Sequence, residues 1–216
     1  MPHTLLKREP DKLTVAKYSE NVFINCPFDA AYKPLFDAIV FAVFDCGFVA
    51  RCALEEDDGS QIRVQRIFGI IRQCRLSIHD LSRVEVDRST KLPRFNMPLE
   101  LGAFLGAKHF GAGGQKRKAC LILDSERYRY QKFISDIAGQ DIKAHENNPR
   151  TVIRVVRDWL RTYSRTSIPS GSVIWSRYQI FGDDLPLLCE ELRLNPKELI
   201  FNDYVLLVSR WLKINT

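Results

Sequence analysis

No stretch of the 216-residue chain approaches the roughly 20 uninterrupted apolar residues that a membrane-spanning helix needs. Met1 to Glu20 is polar and charged rather than signal-like, so the expectation is a cytoplasmic protein with no membrane partner. The six cysteines, Cys26, Cys46, Cys52, Cys74, Cys120 and Cys189, contain no CxxC pair, which leaves neither a zinc site nor a disulfide framework indicated. They read as buried small hydrophobes, and no metal site is expected. Internal repeats, low-complexity tracts, helix-turn-helix signatures and RNA-binding motifs are absent. The excess of one charge is small: 32 basic against 26 acidic side chains give +6, which suits an anionic ligand but serves solubility equally well.

What is present is an ordinary globular composition, 45% hydrophobic, over a length that allows one full domain and a remainder. Asn21 to Asn25 is a β-branched and aromatic run ended by Cys26-Pro27, because proline cannot donate to a sheet ladder. Leu35, Phe36, Ile39, Val40, Val43 and Phe44 then recur at helical spacing, with Pro34 in the first turn and Gly47 past the end. Phe48 to Arg51 reads as a second strand and Glu55 to Gly59 as an acidic loop. Ser60 reads as the cap of a helix with the stripe Val64, Ile67, Phe68 and Ile71. A third strand, Leu76 to His79, leads through a polar loop, Asp80 to Phe95, into a helix opened by Pro98 and running Leu99 to His109. A glycine-rich turn and a strand at Ala119 to Leu123 follow. This alternation predicts βαβ crossovers and a parallel sheet covered on both faces.

Beyond Leu123, the segment Ser125 to Ala138 reads as helical, Asp141 to His145 as an edge strand and Pro149 to Tyr163 as a strong helix. Ser164 to Gly171 reads as a linker. Two helical patterns, broken at Gly182-Asp183-Asp184 and at Asn195-Pro196, form a small appendage, so the expected units are 1–165 and 172–216. Trp175, Tyr178, Trp211 and Leu212 are its apolar anchors, either for an oligomer contact or for packing back on the domain.

In an open parallel sheet, ligands bind outside the carboxyl ends of the strands, where helix amino termini converge. Asn25, Phe28 and Asp29 follow the first strand, Arg51 and the acidic loop the second, and His79, Asp80, Ser82 and Arg83 the third. Glu100 sits near N3 of the helix begun at Pro98. There a carboxylate either caps a backbone N–H or faces the crevice, as a nucleophile or as a stabiliser of developing positive charge. His79-Asp80 invites an acid/base reading, but neighbouring residues on a strand point to opposite faces. His3, His109 and His145 read as exposed or structural.

The stretch Phe95 to Ala103, with Glu100-Leu101-Gly102 before a hydrophobic strand, resembles the segment that carries the catalytic glutamate in nucleoside 2-deoxyribosyltransferases. It is also similar to the glutamate-bearing helix of TIR domains that cleave NAD. The resemblance covers about Glu20 to Asp124. It implies a flavodoxin-like, TIR-like three-layer α/β fold, self-association into a homo-oligomer, and an N-glycosidase acting on NAD or a related nucleotide, with a role in prokaryotic defence. In that reading the nucleotide is the substrate and no cofactor is required. Glu100 would stand beneath the sugar carbon as it becomes oxocarbenium-like. Asn96 or Ser82 would orient sugar hydroxyls, Arg51 would meet a phosphate, and Phe28 would stack on the base.

Arg150, Arg154, Arg157, Arg161 and Arg165 step by three or four and share one helical face. That pattern is either a solvated face or a surface for an acidic partner or nucleic acid, which Lys116, Arg117 and Lys118 would extend. Three function classes therefore stay open: an N-glycosidase, a non-catalytic TIR-like nucleotide-sensing or assembly module, and a nucleic-acid-binding protein.

Overall fold

A computed structural model describes residues 17–84 and 94–215. The middle of the polar loop between Asp80 and Phe95, and most of the polar amino-terminal stretch, lie outside the described residues. Among the described residues five strands form one sheet: β1 (Asn21–Asn25), β2 (Val49–Cys52), β3 (Leu76–Asp80), β4 (Ala119–Asp124) and β5 (Lys143–Ala144). Every pairing is parallel and the order is β2-β1-β3-β4-β5, as in flavodoxin-like sheets. The chain moves outward from β1 in both directions, so the topological switch point falls between β1 and β3.

Helices α1 (Lys33–Asp45), α4 (Pro149–Arg161), α5 (Gly171–Leu192) and α6 (Phe201–Ile214) cover one face of the sheet. Helices α2 (Arg63–Gln73) and α3 (Asn96–Phe110) cover the other. Alternation along the strands feeds both layers. Val22 and Ile24 of β1 join the α1 side, whereas Phe23 faces Ile67, Ile70 and Phe104. β1 is buried along its whole length, consistent with a strand covered on both faces.

Local signals explain several element ends. Gly47, at φ +79°, closes α1 in a Schellman turn: Phe48 N–H donates to Val43 C=O at 3.0 Å and Gly47 N–H to Phe44 C=O at 2.9 Å. Asn148 caps α4, its Oδ1 accepting from Arg150 N at 2.9 Å and Thr151 N at 3.2 Å, with Pro149 in the first turn. Five cysteines are buried, Cys120 is half-buried, and all six are free thiols.

Four expectations are corrected. Ser60 does not cap α2: Asp58 Oδ1 accepts from both its N–H (2.9 Å) and its hydroxyl (2.7 Å), holding it in a turn, and the N-cap is Ile62 without a side-chain bond. Of the α2 stripe, Val64 and Phe68 are exposed, and Ile70 joins Ile67 and Ile71 in the core. The stretch from Ser125 to Ala138 is not an α-helix but two short 3-10 turns, Arg129–Lys132 and Ser135–Ile137, entered through Tyr128 in the left-handed region. Helix α5 runs unbroken through Gly182-Asp183-Asp184 and over Pro186, where two separate helical patterns are expected. The carbonyl that a proline ring crowds is that of residue i−4, here Gly182, and burial of Phe181 and Cys189 holds the helix across both residues.

The two carboxy-terminal helices pack back onto the sheet layer. The Phe41 ring of α1 lies 5.3 Å from Phe181 and 5.9 Å from Trp211, and Trp211 Nε1 donates to Asp184 Oδ2 at 2.8 Å. Trp211 and Leu212 are buried and Trp175 and Tyr178 are half-buried against the same core. Among the described residues no helix is long and apolar enough to cross a membrane.

Candidate functional site

At the carboxyl ends of β1 and β2 lies a cavity of about 430 Å³. Its walls are the loop after β1 (Phe28, Asp29), the loop after β2 with the start of α2 (Glu56, Arg63, Arg66), and the start of α6 (Phe201, Tyr204). Phe28 stands edge-on to Phe36 at 5.4 Å between centroids, and Phe36 is 5.9 Å from Phe201, which makes one wall aromatic. Lys33 is engaged with Asp37 at 2.9 Å and Asp29 with Arg94 at 3.5 Å. The guanidinium groups of Arg63 and Arg66 have no ion-pair partner among the described residues.

Helix α3 begins at Asn96, two residues before the expected Pro98, with Phe95 as its N-cap. Glu100 is therefore the fifth residue of the helix, in its second turn rather than near N3, and it is too far along to cap the helix start. It is half-buried, and no hydrogen bond or ion pair reaches it from the described residues. Burial pushes its carboxyl up to about 7, against the opposing pull of Arg63. Arg63 thus connects the two parts of the site: it lines the cavity, and its charge acts on Glu100, which is itself not a lining residue. A half-buried carboxylate without a partner is costly in a structural role and typical of a functional one.

The structure brings Phe28 and Asp29 to this cavity and leaves the other named residues elsewhere. Asn25 is buried, its amide donating to Met97 C=O at 2.8 Å and lying 2.9 Å from His79 Nδ1. His79 is fully buried, with Nε2 2.9 Å from Ser77 Oγ. Burial, with Lys118 nearby, pushes His79 down to about 3, so its ring is neutral, with Nδ1 accepting and Nε2 donating. Arg51 forms a bidentate pair with Glu55, both contacts at 2.6 Å. Asn96 is exposed at the start of α3.

Asp80 is fully buried on the opposite face from His79, as strand alternation requires. Tyr32 OH donates to its Oδ2 at 2.6 Å, Ser82 N–H donates to Oδ1 at 2.8 Å, and His145 Nε2 stands 2.9 Å from Oδ2. The His145 contact is at ion-pair distance with its N–H off the ideal hydrogen-bond line. Asn147 N–H donates to His145 Nδ1 at 3.0 Å, which fixes the proton on the nitrogen facing Asp80. Ser82 Oγ is buried without a hydrogen-bond partner among the described residues. No group of three or more metal-ligating side chains occurs among the described residues.

The arginine stripe is divided in its contacts. Arg157 donates to Pro169 C=O at 2.7 Å and to Ile168 C=O at 3.4 Å, pinning the segment between α4 and α5. Arg150, Arg154, Arg161 and Arg165 are exposed. Lys118 is buried rather than part of a basic surface: its Nζ donates to Ile71 C=O at 2.6 Å and to Cys74 C=O, and lies 4.4 Å from the centroid of the Phe104 ring.

Sequence reasoning did not find Arg63, Arg66, Phe201, Tyr204 or the Asp80 partnership of His145. The two arginines carry a usable signal, because they open the helix that follows β2 on the carboxyl side of the sheet. The α6 residues carry none, since only tertiary packing brings them there. The chain matches no protein-family model, no curated protein and no solved structure.

Proposed function

We propose that this protein is an N-glycosidase that cleaves the base–ribose bond of NAD or a related nucleotide, with a TIR-like site at the crevice beside Glu100. The observation that carries the reading is Glu100 itself: a half-buried carboxyl with no hydrogen bond or ion pair among the described residues, raised to about 7 by burial against the charge of Arg63, which lines an aromatic-walled cavity. The cavity chemistry suits a nucleotide. The exposed Phe28 ring offers a face for a base, and Arg63 and Arg66 offer guanidinium groups for phosphate oxygens, with Glu56 and Asp57 in the same lining.

In the reaction the bond between the sugar anomeric carbon and the base nitrogen breaks, and its electron pair goes to the base. For a pyridinium base this restores a neutral ring and needs no proton. The anomeric carbon becomes oxocarbenium-like, and ionised Glu100 stabilises it or captures it as a glycosyl ester. Water then adds to that carbon, and its proton leaves to Glu100 or to solvent. The same reading makes the protein a homo-oligomer and a defence effector, in keeping with the families its Glu-Leu-Gly segment resembles.

The test is chromatographic. Wild-type protein and Glu100→Gln are incubated at high concentration with NAD, NADP, ATP and deoxynucleotides, and released base is measured alongside ligand affinity. Release by the wild type alone, with matching affinities, supports the reading. Full turnover by Glu100→Gln removes Glu100 from the chemistry. Tight nucleotide binding without release by either protein favours a nucleotide-sensing module.

A further inference from the structure

β5 pairs with Leu123 and Asp124, so it covers the last two residues of the six-residue strand β4, and no other strand among the described residues covers the rest of that edge. The direction of the uncovered groups follows from bonds at both ends of β4. Ala119 N–H donates to Arg75 C=O and Leu123 C=O accepts from Leu81 N–H, both on the β3 side. Asp124 C=O accepts from His145 N–H on the β5 side. Alternation then turns the N–H and C=O of Cys120 and the N–H of Ile122 away from β3, toward the open edge.

That edge is not simply bathed by solvent. It forms the back of a groove of about 860 Å³, with α4 along one side and the segments around Tyr128 and Ile142 along the other. Val155 and Trp159 give the α4 wall an apolar surface, and Arg154 of α4 and Arg127 opposite line the same groove. Lys143 in this groove is engaged with Asp141 at 2.7 Å, and Asp158 with Arg157 at 3.2 Å. Neither Arg154 nor Arg127 has an ion-pair or hydrogen-bond partner among the described residues. Against the two unengaged guanidinium groups the groove carries one carboxylate unengaged among the described residues, Glu146, so its free charge is net positive; an uncovered strand edge asks for another backbone, and this charge asks for a negative one.

We infer that this groove binds an acidic extended peptide, which adds to β4 as a further strand. Main-chain hydrogen bonds to Cys120 and Ile122 supply the register, apolar side chains reach Trp159 and Val155, and acidic side chains reach Arg154 and Arg127. The groove lies on the flank of the sheet, away from the cavity at the ends of β1 and β2, so the inference is independent of the glycosidase reading.

The probe is a fluorescein-labelled hexapeptide of alternating glutamate and valine, with an acetylated amino terminus and an amidated carboxyl terminus. It is titrated into the full-length protein by fluorescence anisotropy, alongside the same peptide N-methylated at alternate amides and a version with lysine in place of glutamate. Saturable binding by the acidic peptide is expected, weakened at least ten-fold by N-methylation and by the lysine exchange. Arg154→Glu should weaken it by a similar factor. Cys120→Pro removes a groove donor that β3 does not use and should do the same while circular dichroism stays unchanged. Equal binding of the N-methylated peptide would show charge attraction without strand addition and would overturn the inference. So would the absence of saturable binding by the acidic peptide, or a dimer in light scattering that Cys120→Pro dissociates, since the occupant would then be a second copy of the chain.

Discussion

His145 Nε2 stands 2.9 Å from Asp80 Oδ2, and neither residue has any solvent-exposed surface. With Tyr32 OH on the same carboxylate, the contact ties the end of β3 to the start of α1 and to the turn between β5 and α4. Removing one member of a buried pair leaves the others desolvated, at a cost of about 3–5 kcal/mol. Asp80→Ala is therefore expected to lose stability on that scale in urea unfolding. Its pH dependence has a definite sign. Burial pushes Asp80 up, but His145, Ser82 and Tyr32 together outweigh it, and the carboxyl lies below its ordinary value. The stability it contributes is complete above the ordinary carboxylate pKa and is lost as pH falls through the lowered folded value. The urea midpoint of Asp80→Asn should accordingly vary less than that of the wild type across the acid range.

Lys118 gives the opposite slope. Burial lowers its ammonium to about 8, although Nζ donates to two carbonyls at the end of α2. The unfolded chain holds this proton up to the ordinary lysine range, so the unfolded state binds more protons between about pH 8 and 10.5, and stability rises with pH there. The rise attributable to Lys118 is about 3 kcal/mol. It should appear as a difference between wild type and Lys118→Met in urea midpoints measured at pH 7.5 and pH 10. Parallel curves for the two proteins would contradict this.

These two residues also mark where sequence reading stops. The end of β1 at Pro27, the close of α1 at Gly47 and the opening of α4 at Asn148-Pro149 are local matters, decided within a few residues of chain. The alternating strands and helices fix the layers in the same way. Lys118 reads locally as one member of a basic loop, yet its acceptors lie 44 and 47 residues away. His145 is a lone histidine until β5 brings it beside Asp80. One of the cavity's three walls has the same origin, because Phe201 and Tyr204 reach Phe36 and Asp37 only through the packing of α6 on α1. Glu100 was legible as a residue to watch, whereas its unpartnered state and its neighbour Arg63 needed the fold.

Glu100 should also cost the protein stability. Its folded value of about 7 lies above the ordinary glutamate range, so the native state holds the proton longer than the unfolded state does. Stability is greatest below the ordinary value and falls as pH rises toward 7. Glu100→Gln is expected to raise the urea midpoint at pH 8, by an amount equivalent to about 1–3 kcal/mol. A variant that gains stability while losing base release would be the signature of a side chain kept for chemistry. A destabilised Glu100→Gln would instead mean that the carboxylate has a structural partner.

If ionised Glu100 stabilises the developing cation, kcat/KM should rise with pH and level off above an inflection near 7, the value to which burial raises it. Arg63 is the cation that opposes that rise, and its removal gives the profile a second handle. Without the guanidinium charge the carboxylate is harder to ionise, so Arg63→Gln should move the inflection to higher pH by up to about one unit. The variant should also raise KM through loss of a cavity-lining cation, while its plateau kcat falls far less than in Glu100→Gln. An inflection that stays in place when Arg63 is changed would mean that the titrating group is not Glu100, whatever the size of the effect on KM. A pH-rate profile of both proteins on the same substrate separates these outcomes in one experiment.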